Sequence, residues 1–222
     1  MTSQNPTFIL ASGSPRRREM ITSLGIDFTI IKPDIDESLY PSETPLAYVQ
    51  RLASAKADAV AERLSSPATI LAADTIVILS ADTIGITERG ELLGKPEGTD
   101  MARDMLMRLR NRPHVVITAF TLLRLGEKSL RYADFIQTRV FMRDYTDAEI
   151  ESYITTGDPF DKAGGYAIQH NGFMPVARIE GCYNNVVGLP LCAVKRGLIH
   201  VGWANISASE YCDCPIYLSE LR

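Results

Sequence analysis

The stretch ATILAADTIVIL, residues 68 to 79, constrains the fold of this chain more than any other part of its sequence. It is apolar at odd and at even positions, and in a β-strand that pattern places apolar side chains on both faces. Such strands are typical of the centre of a sheet that helices cover on both sides. The stretch therefore predicts a central, doubly covered strand.

Helix and strand patterns alternate around this strand, which predicts an α/β fold. Residues 7 to 12 and 28 to 32 read as short strands, and residues 113 to 142 as two long strands around a turn at 126 to 129. This hairpin makes the predicted sheet mixed. A second hairpin is expected over residues 80 to 94, a loop leading into a strand over 157 to 169, and short strands in the last third. The first helix is predicted from Pro15 to about Leu24, with Ser14 as N-cap and Gly25 as stop, and the second from Pro45, after Thr44, to about Leu64. A third is predicted from a Thr99 cap to about Arg110 and a fourth from a Thr146–Glu149 capping box to near Gly157. A last helix is predicted from Leu189 to Leu198.

Composition narrows the class of protein. The 222 residues fit one large domain or two small ones, and 45% of them are hydrophobic, so a real core is available. The net charge of -4 argues against binding to a nucleic acid polymer. The chain has no apolar run of about 20 residues for a membrane helix and no apolar segment near its start, so a cytoplasmic protein is expected. Its four cysteines lack zinc-site spacing, and free thiols are favoured over metal binding or oxidation at Cys212 and Cys214.

Three arginines begin the first predicted helix, at the end where the helix dipole favours acidic residues. A solvated basic surface is one interpretation of Arg16, Arg17 and Arg18. The other is an anion site, where the free N–H groups of the helix end and the guanidinium groups together bind phosphate.

Two charged residues interrupt apolar patterns. Asp74 lies in the middle of the central strand, where an unpaired carboxylate is costly to bury. It is either bonded to backbone or to an arginine, or it serves as a metal ligand or general base. Lys56 shares a helical stripe with Leu52 and Val60, and it either extends along its stem to water or reaches into a cleft.

The turn LLGKPEG contains Lys95 but is not a P-loop, because its glycines are too close together and Pro96 stands at the Ser/Thr position. The chain also lacks GxGxxG, so neither common nucleotide-binding loop is present. The carboxylates Asp36, Glu37 and Asp74, several lysines and the arginine cluster remain. That set of side chains suits metal-assisted phosphoryl or nucleotidyl chemistry.

Eight motifs follow one another in a fixed order along the chain, namely LASGSPRRREM, DIDES, RLASAKA, AADTIVIL, LGKPEG, RPHVVITAF, DPFDKAGGYAIQ and IEGCYNNVVGLPL. In these motifs the chain resembles the Maf proteins, the septum-formation family of nucleoside triphosphate pyrophosphatases, from Phe8 to about Leu198. Asn111, Asp158 and His170 depart from the usual family pattern.

This resemblance implies a twisted mixed sheet flanked by helices, with two lobes around a cleft, as in inosine triphosphate pyrophosphatases. It implies one such domain over residues 1–222, in which 202–222 form a tail of unclear role. The implied reaction cleaves a nucleoside triphosphate between its α and β phosphates and gives a monophosphate and pyrophosphate. A divalent cation, Mg²⁺, Mn²⁺ or Co²⁺, is expected, and the resemblance allows a homodimer.

The family pattern also implies roles for individual residues. Asp74 is the implied proton acceptor, and with Glu37 it is an implied metal ligand. Arg16, Thr75 and Gln169 match the dTTP/UTP subgroup rather than the 7-methyl-GTP subgroup, and the Gln169 amide can pair with a pyrimidine edge. The implied substrate-binding residues are Ser14, Arg16, Arg17, Lys56, Thr75, Lys95, Lys162 and Gln169.

Two alternatives stay open at this point. One is a pyrophosphatase that removes modified nucleotides such as 7-methyl-GTP. The other is a regulator of cell division that binds nucleotide without hydrolysing it, although the presence of Asp74, Glu37, Lys56 and Lys95 argues against an inactive protein.

Overall fold

The computed structural model of this chain describes residues 6–79, 91–203 and 206. Within these residues seven strands form one mixed sheet: β1 (Thr7–Ala11), β2 (Phe28–Ile30), β3 (Ala68–Leu79), β4 (Glu91–Leu93), β5 (Pro113–Arg124), β6 (Leu130–Met142) and β7 (Val176–Glu180). The strand order is β2-β1-β3-β5-β6-β7, and β4 pairs with β3 beside this path. The mixed α/β sheet that the sequence predicts is therefore confirmed.

Strand β3 lies in the middle of the sheet, as its apolar pattern predicts. It pairs in parallel with β1, Ile70 opposite Ile9, and antiparallel with β5, Thr75 opposite Thr118. Its side chains are buried on both faces except at Asp74, Thr75 and the last residue. The two polar residues in its middle are thus the point where the covered sheet opens.

Six α-helices surround the sheet in the described part of the chain: α1 (Pro15–Thr22), α2 (Pro45–Ala61), α3 (Thr99–Leu109), α4 (Asp147–Thr155), α5 (Tyr183–Val187) and α6 (Leu191–His200). The hydroxyl oxygens of Ser14 and Thr44 accept backbone N–H bonds as N-caps of α1 and α2, and the capping box of Thr146 and Glu149 is present in α4. These starts are confirmed because caps depend on local sequence.

The predicted Thr99 cap of α3 is wrong. Gly98 is the N-cap, because its carbonyl accepts the first helical bond from the Ala102 amide at 3.0 Å. Thr99 is the first helical residue, and no side chain caps this end. Asp100 in the first turn instead supplies negative charge near the helix dipole.

Side-chain alternation along β1 divides the core between two faces. Phe8 and Leu10 pack with residues of α1 and α6, while Ile9 and Ala11 pack with residues of α2. A separate apolar cluster joins α3 and α4 to the ends of β3, β5 and β6. Helices therefore cover both faces of the sheet, as the doubly covered pattern of β3 predicts.

The predictions for the cysteines, the second hairpin and the C-terminal tail have different outcomes. Cys182 is a buried free thiol, whereas Cys192 is disulfide-bonded, so the expectation of free thiols is wrong at Cys192. Residues 80–90 of the expected hairpin, Cys212, Cys214 and nearly all of the 202–222 tail lie outside the described residues. No described helix is long and apolar enough to cross a membrane.

Candidate active site

A cleft of about 580 Å³ opens beside the middle of β3, within the usual size range of small-molecule sites. It lies between the β1–α1 junction, α2, the turn after β4, the segment from residue 161 to 169, and α5. All ten residues that the sequence analysis assigns to the site line this cleft: Ser14, Arg16, Arg17, Glu37, Lys56, Asp74, Thr75, Lys95, Lys162 and Gln169. The structure thus brings the predicted set together, while the role of each residue stays a prediction.

The charge of the cleft is opposite to that of the protein. Among the described residues, six cationic and three acidic side chains line it, an excess of three positive charges, whereas the whole chain has a net charge of -4. The cationic side chains are Arg16, Arg17, Lys32, Lys56, Lys95 and Lys162, and the acidic ones are Glu37, Asp74 and Asp161. Such a concentration of charge in a concave site favours a small polyanion.

The centre of the cleft is an ion-pair cluster of Lys56, Asp74 and Glu37. Nζ of Lys56 lies 2.6 Å from Oδ1 of Asp74 and 2.8 Å from Oε1 of Glu37. Lys56 is buried and does not extend to bulk water, so the cleft alternative is confirmed for its position. Asp74 pairs with a lysine rather than an arginine, and its side chain keeps 15% of its exposure.

The loop that carries Glu37 is fastened to α2. The Tyr48 hydroxyl donates to the Glu37 carbonyl at 2.8 Å. Arg51 donates to both carboxylate oxygens of Glu43, at 2.7 and 2.8 Å, and to the Ser38 carbonyl at 2.9 Å. The hydrogen bonds from Arg51 lower the pKa of Glu43. The loop is therefore held to α2 at Glu37 itself and at Ser38 and Glu43, which follow it.

The three arginines of α1 have three different environments. Arg17 is buried and donates to the carbonyls of Ala73 and Gly188 at 2.8 and 2.9 Å and to the Thr75 hydroxyl at 2.9 Å. Burial lowers its pKa. Arg16 is half-buried in the cleft wall, and Arg18 is exposed away from it. Arg17 thus fastens α1 to β3 and to the end of α5, while Arg16 faces the cleft.

Three cleft cations, Arg16, Lys32 and Lys95, have no ion-pair partner within the described residues. Lys32 was not predicted from the sequence. It follows β2, and its stem lies 3.5 Å from the position of a Cβ on Gly13. A single lysine before a proline gives no sequence signal. Tyr48 was also missed, although it lies two turns before Lys56 on the same helical stripe.

Lys162 is held by its own loop. Its ammonium donates to the Asp158 carbonyl and carboxylate, both at 2.7 Å, and to Asp161 at 2.5 Å. Burial raises the pKa of Asp158, but hydrogen bonds from Lys162 and Tyr153 outweigh burial and leave it lowered. All three donors of Lys162 are thus used, so a ligand would have to replace one acceptor.

Gly164 joins the loop of Lys162 to the turn of Lys95. Its amide donates to the Gly94 carbonyl at 2.9 Å. It has a φ of +73°, and a Cβ at this position would lie 3.2 Å from the Val77 side chain. Both the backbone conformation and the close approach to β3 require glycine here.

A buried polar pair lies behind the cleft. Nε2 of His114 lies 2.7 Å from the hydroxyl of Tyr166, a cleft residue, and Nδ1 of His114 has no hydrogen-bond partner among the described residues. Burial lowers the pKa of His114 to about 3 and raises that of Tyr166. Both side chains are therefore neutral near pH 7, which suits a supporting role.

The described residues contain no cluster of three or more His, Cys, Asp or Glu side chains that could hold a metal ion. Glu37 and Asp74 converge on the centre of the cleft, since both contact the same lysine. Mg²⁺ commonly binds one or two carboxylates together with substrate phosphates and water. This donor set therefore fits a divalent cation that the substrate helps to hold.

Comparison with known proteins identifies the family. The family model described as Maf-like protein matches residues 7–201 of this chain. The chain belongs to the Maf family. Its similar relatives include proteins named dTTP/UTP pyrophosphatase from Citrifermentans bemidjiense, 44% identical over 90% of this chain and 97% of the relative, and from Geotalea uraniireducens, 44% identical over 91% and 98%. A protein of the same name from Pseudoalteromonas atlantica is 45% identical over 89% and 98%.

Membership of the Maf family confirms the resemblance seen in the sequence motifs. The family model spans residues 7–201, and the residues that line the cleft lie between Ala11 and Gly188. The central cluster of Lys56, Asp74 and Glu37 therefore belongs to the Maf-like part of the chain, as do the three cations without an ion-pair partner among the described residues.

Proposed function

We propose that this chain hydrolyses nucleoside triphosphates to nucleoside monophosphates and pyrophosphate, with dTTP and UTP as preferred substrates. The observation that carries the proposal is the positive cleft of an acidic protein, with a lysine–carboxylate cluster at its centre. The names of the Maf relatives support the substrate class.

Three cations of the cleft are the proposed phosphate-binding groups. Arg16, Lys32 and Lys95 have no acidic partner within the described residues, so a triphosphate would supply the negative charge that they lack. The N-terminus of α1, which Ser14 caps, adds backbone N–H groups and a favourable dipole. In this proposal, the triphosphate supplies the negative charge that the arginine-rich N-terminus of α1 lacks.

Asp74 is the proposed general base. Lys56 holds one oxygen of its carboxylate at 2.6 Å and so orients the group toward the cleft. Removing a proton from water beside a phosphorus atom requires a base fixed within hydrogen-bond reach. Lys56 also keeps a positive charge at the place where charge develops on the phosphate oxygens.

A divalent cation completes the proposal. Glu37 and Asp74 would hold it together with oxygens of the triphosphate, and the cation would neutralise charge on the phosphates and polarise them. Lys56 now occupies the space between the two carboxylates, so we expect the cation to bind together with nucleotide. Full removal of divalent cations by a chelator should abolish turnover, and Mg²⁺ or Mn²⁺ should restore it. Turnover that persists without divalent cations would contradict this part of the proposal.

The test of function is a panel of nucleoside triphosphates, including dTTP, UTP, CTP and 7-methyl-GTP, incubated with Mg²⁺ or Mn²⁺ and separated by ion exchange. We expect monophosphate and pyrophosphate in equal amounts, fastest from dTTP and UTP. Diphosphate and orthophosphate as products would overturn the reaction, and faster turnover of 7-methyl-GTP would overturn the substrate class. The homodimer, the cytoplasmic location and the single domain over residues 1–222 stay predictions.

A further inference from the structure

We propose that Thr118 and Asn185 are positioning residues that fix the Thr75 hydroxyl as a hydrogen-bond acceptor toward the cleft, so that the site selects nucleotides offering a donor there. This inference rests on the proposed function and extends it to two residues that do not line the cleft. The basis is a chain of hydrogen bonds from Arg17 to α5 whose direction is fixed.

This series of hydrogen bonds begins at Arg17, whose guanidinium can only donate. Its guanidinium donates to Oγ1 of Thr75 at 2.9 Å, and this occupies one lone pair of the Thr75 hydroxyl. Oγ1 of Thr75 lies 2.8 Å from Oγ1 of Thr118, and one of these two hydroxyls must donate to the other. The next residue in the chain decides which one donates.

The carbonyl of Asn185 decides the direction. Asn185 is fully buried, and its carbonyl accepts from the Thr118 hydroxyl at 3.1 Å. The usual helical donor is not available, because the Leu189 amide donates to the Asn184 carbonyl at 2.9 Å. An unpaired buried carbonyl would be costly, so the Thr118 proton belongs to Asn185.

Asn185 is itself fixed on the sheet. Its side-chain amide accepts from the Thr118 backbone N–H at 3.1 Å and donates to the Val116 carbonyl at 3.0 Å and to the Thr138 hydroxyl at 2.9 Å. The Thr138 hydroxyl also donates to the Cys182 carbonyl at 3.1 Å. The Asn185 carbonyl, the last acceptor in this series of hydrogen bonds, is therefore fixed beside Thr118.

The Thr75 proton consequently points to Thr118. The Gly188 carbonyl is the other acceptor near Thr75, but it lies at 3.4 Å, and using it would leave the 2.8 Å contact with Thr118 without a proton. Thr75 then has one lone pair left and no proton to donate. Because Thr75 lines the cleft, any nucleotide group that hydrogen-bonds to it must be a donor.

A uracil or thymine nucleotide offers two such donors: N3–H of the base, and a sugar hydroxyl. Cytosine differs at the first of these, because its N3 is an acceptor. A site built to hydrogen-bond one group rejects an analogue without it, since its own polar atom is then unpaired. The two sources are separated by changing one group of the nucleotide at a time.

The experiment measures kcat/KM of wild-type protein for UTP, N3-methyl-UTP and CTP, and for dTTP and 3′-O-methyl-dTTP. We expect removal of the donor that meets Thr75, in one of the two series, to lower kcat/KM by about tenfold or more. Thr118→Val frees the Thr75 proton, which can then donate to the acceptor that CTP or 3′-O-methyl-dTTP has in place of the donor. These two comparisons should therefore shrink to within about threefold. Thr118→Ser keeps the hydroxyl and should keep the wild-type selectivity.

A thermal melt of each variant shows whether it folds. If Thr118→Val does not fold, the comparison of substrates with wild-type protein still tests whether the site requires a donor. Wild-type turnover that is indifferent to every donor removal would overturn the proposal, as would Thr118→Val with unchanged selectivity. Calorimetric binding of α,β-methylene analogues of UTP and CTP to wild type and to Thr118→Val gives the base comparison without turnover. Absence of hydrolysis with selective binding would therefore refute the proposed reaction while leaving the role of Thr118 supported.

Discussion

Lys56 illustrates what a sequence can and cannot tell at the scale of one residue. Its place in an apolar helical stripe marks it as unusual, and Asp74 is marked in the same way by the apolar strand around it. Their ion pair, at 2.6 Å, joins α2 to β3 across the cleft, and nothing in the spacing of the two residues predicts it. Local pattern identifies the residues, whereas the packing of α2 on the sheet decides their partners.

The arginines of α1 provide a matched test of phosphate binding. We expect Arg16→Ala and Lys95→Ala each to lower kcat/KM for UTP by about tenfold or more, because each loses a charged contact to phosphate. Arg18→Ala is the control, since Arg18 lies on the same helix but is exposed outside the cleft. All three variants should keep stability within about 0.5 kcal/mol of wild type. Equal kinetics in Arg16→Ala and Arg18→Ala would return Arg16 to a surface role.

His114 gives a prediction about pH and stability. Burial lowers its pKa to about 3, so the unfolded chain binds a proton below about pH 6.5 that the folded chain does not. The stability present above pH 6.5 is therefore lost as pH falls toward 3. Between pH 7 and 5 this loss is about 2 kcal/mol for one group.

Urea unfolding at pH 7 and pH 5 measures this effect. We expect wild type to lose about 2 kcal/mol more than His114→Gln between these two values, because glutamine does not titrate. The variant starts from its own lower or higher stability at pH 7, so only the difference between the two pH values is compared. Equal losses in both proteins would show that His114 is protonated in the folded state.

At the scale of elements, the sequence predicts those whose start and period are local. Helices α1, α2 and α4 follow from their caps, and β3, β5 and β6 from their apolar patterns. Helix α5 was missed, because five residues cannot show a helical period and long-range bonds of Asn185 hold it to β5. The cleft could be expected from the motifs, but the loops that fasten its walls could not.

The loop of residues 33–44 illustrates such fastening and gives an element-scale prediction. Arg51 holds this loop through Glu43 and Ser38 and also lies 3.8 Å from the centre of the Tyr40 ring. Arg51→Ala should release the loop and with it Glu37, one of the two proposed metal ligands. We expect the Mg²⁺ concentration for half-maximal activity to rise about tenfold, with a smaller change in kcat at saturating Mg²⁺.

Arg131→Ala is the control for this experiment. Arg131 lies on β6 and pairs with Asp58 of α2, the helix that carries Arg51, but it has no contact with the loop. It should leave the Mg²⁺ dependence unchanged. A Mg²⁺ dependence that is the same in Arg51→Ala as in wild type would contradict the role of Arg51 in holding Glu37.

At the scale of the whole molecule, the distribution of charge explains how an acidic protein can bind a polyanion. The net charge of -4 is spread over the chain, while the described cleft has three positive charges in excess. Composition alone argues against a nucleic acid polymer and leaves the choice of small anion open. Only the fold reveals that cations from β1–α1, β2, α2 and the two loops face one another.

The central claim is that the Asp74 carboxylate is present for catalysis rather than for folding, and Asp74→Asn tests it most directly. Asparagine keeps an oxygen that accepts from Lys56, and Glu37 remains as the counterion, so stability should stay within about 1 kcal/mol of wild type. The charge and the basicity are lost, so kcat for dTTP or UTP should fall by about 10²–10⁴-fold. The measurement is kcat beside a thermal melt of the same preparation. A variant that melts early but keeps nearly normal kcat would contradict the account and show that Asp74 is a structural carboxylate.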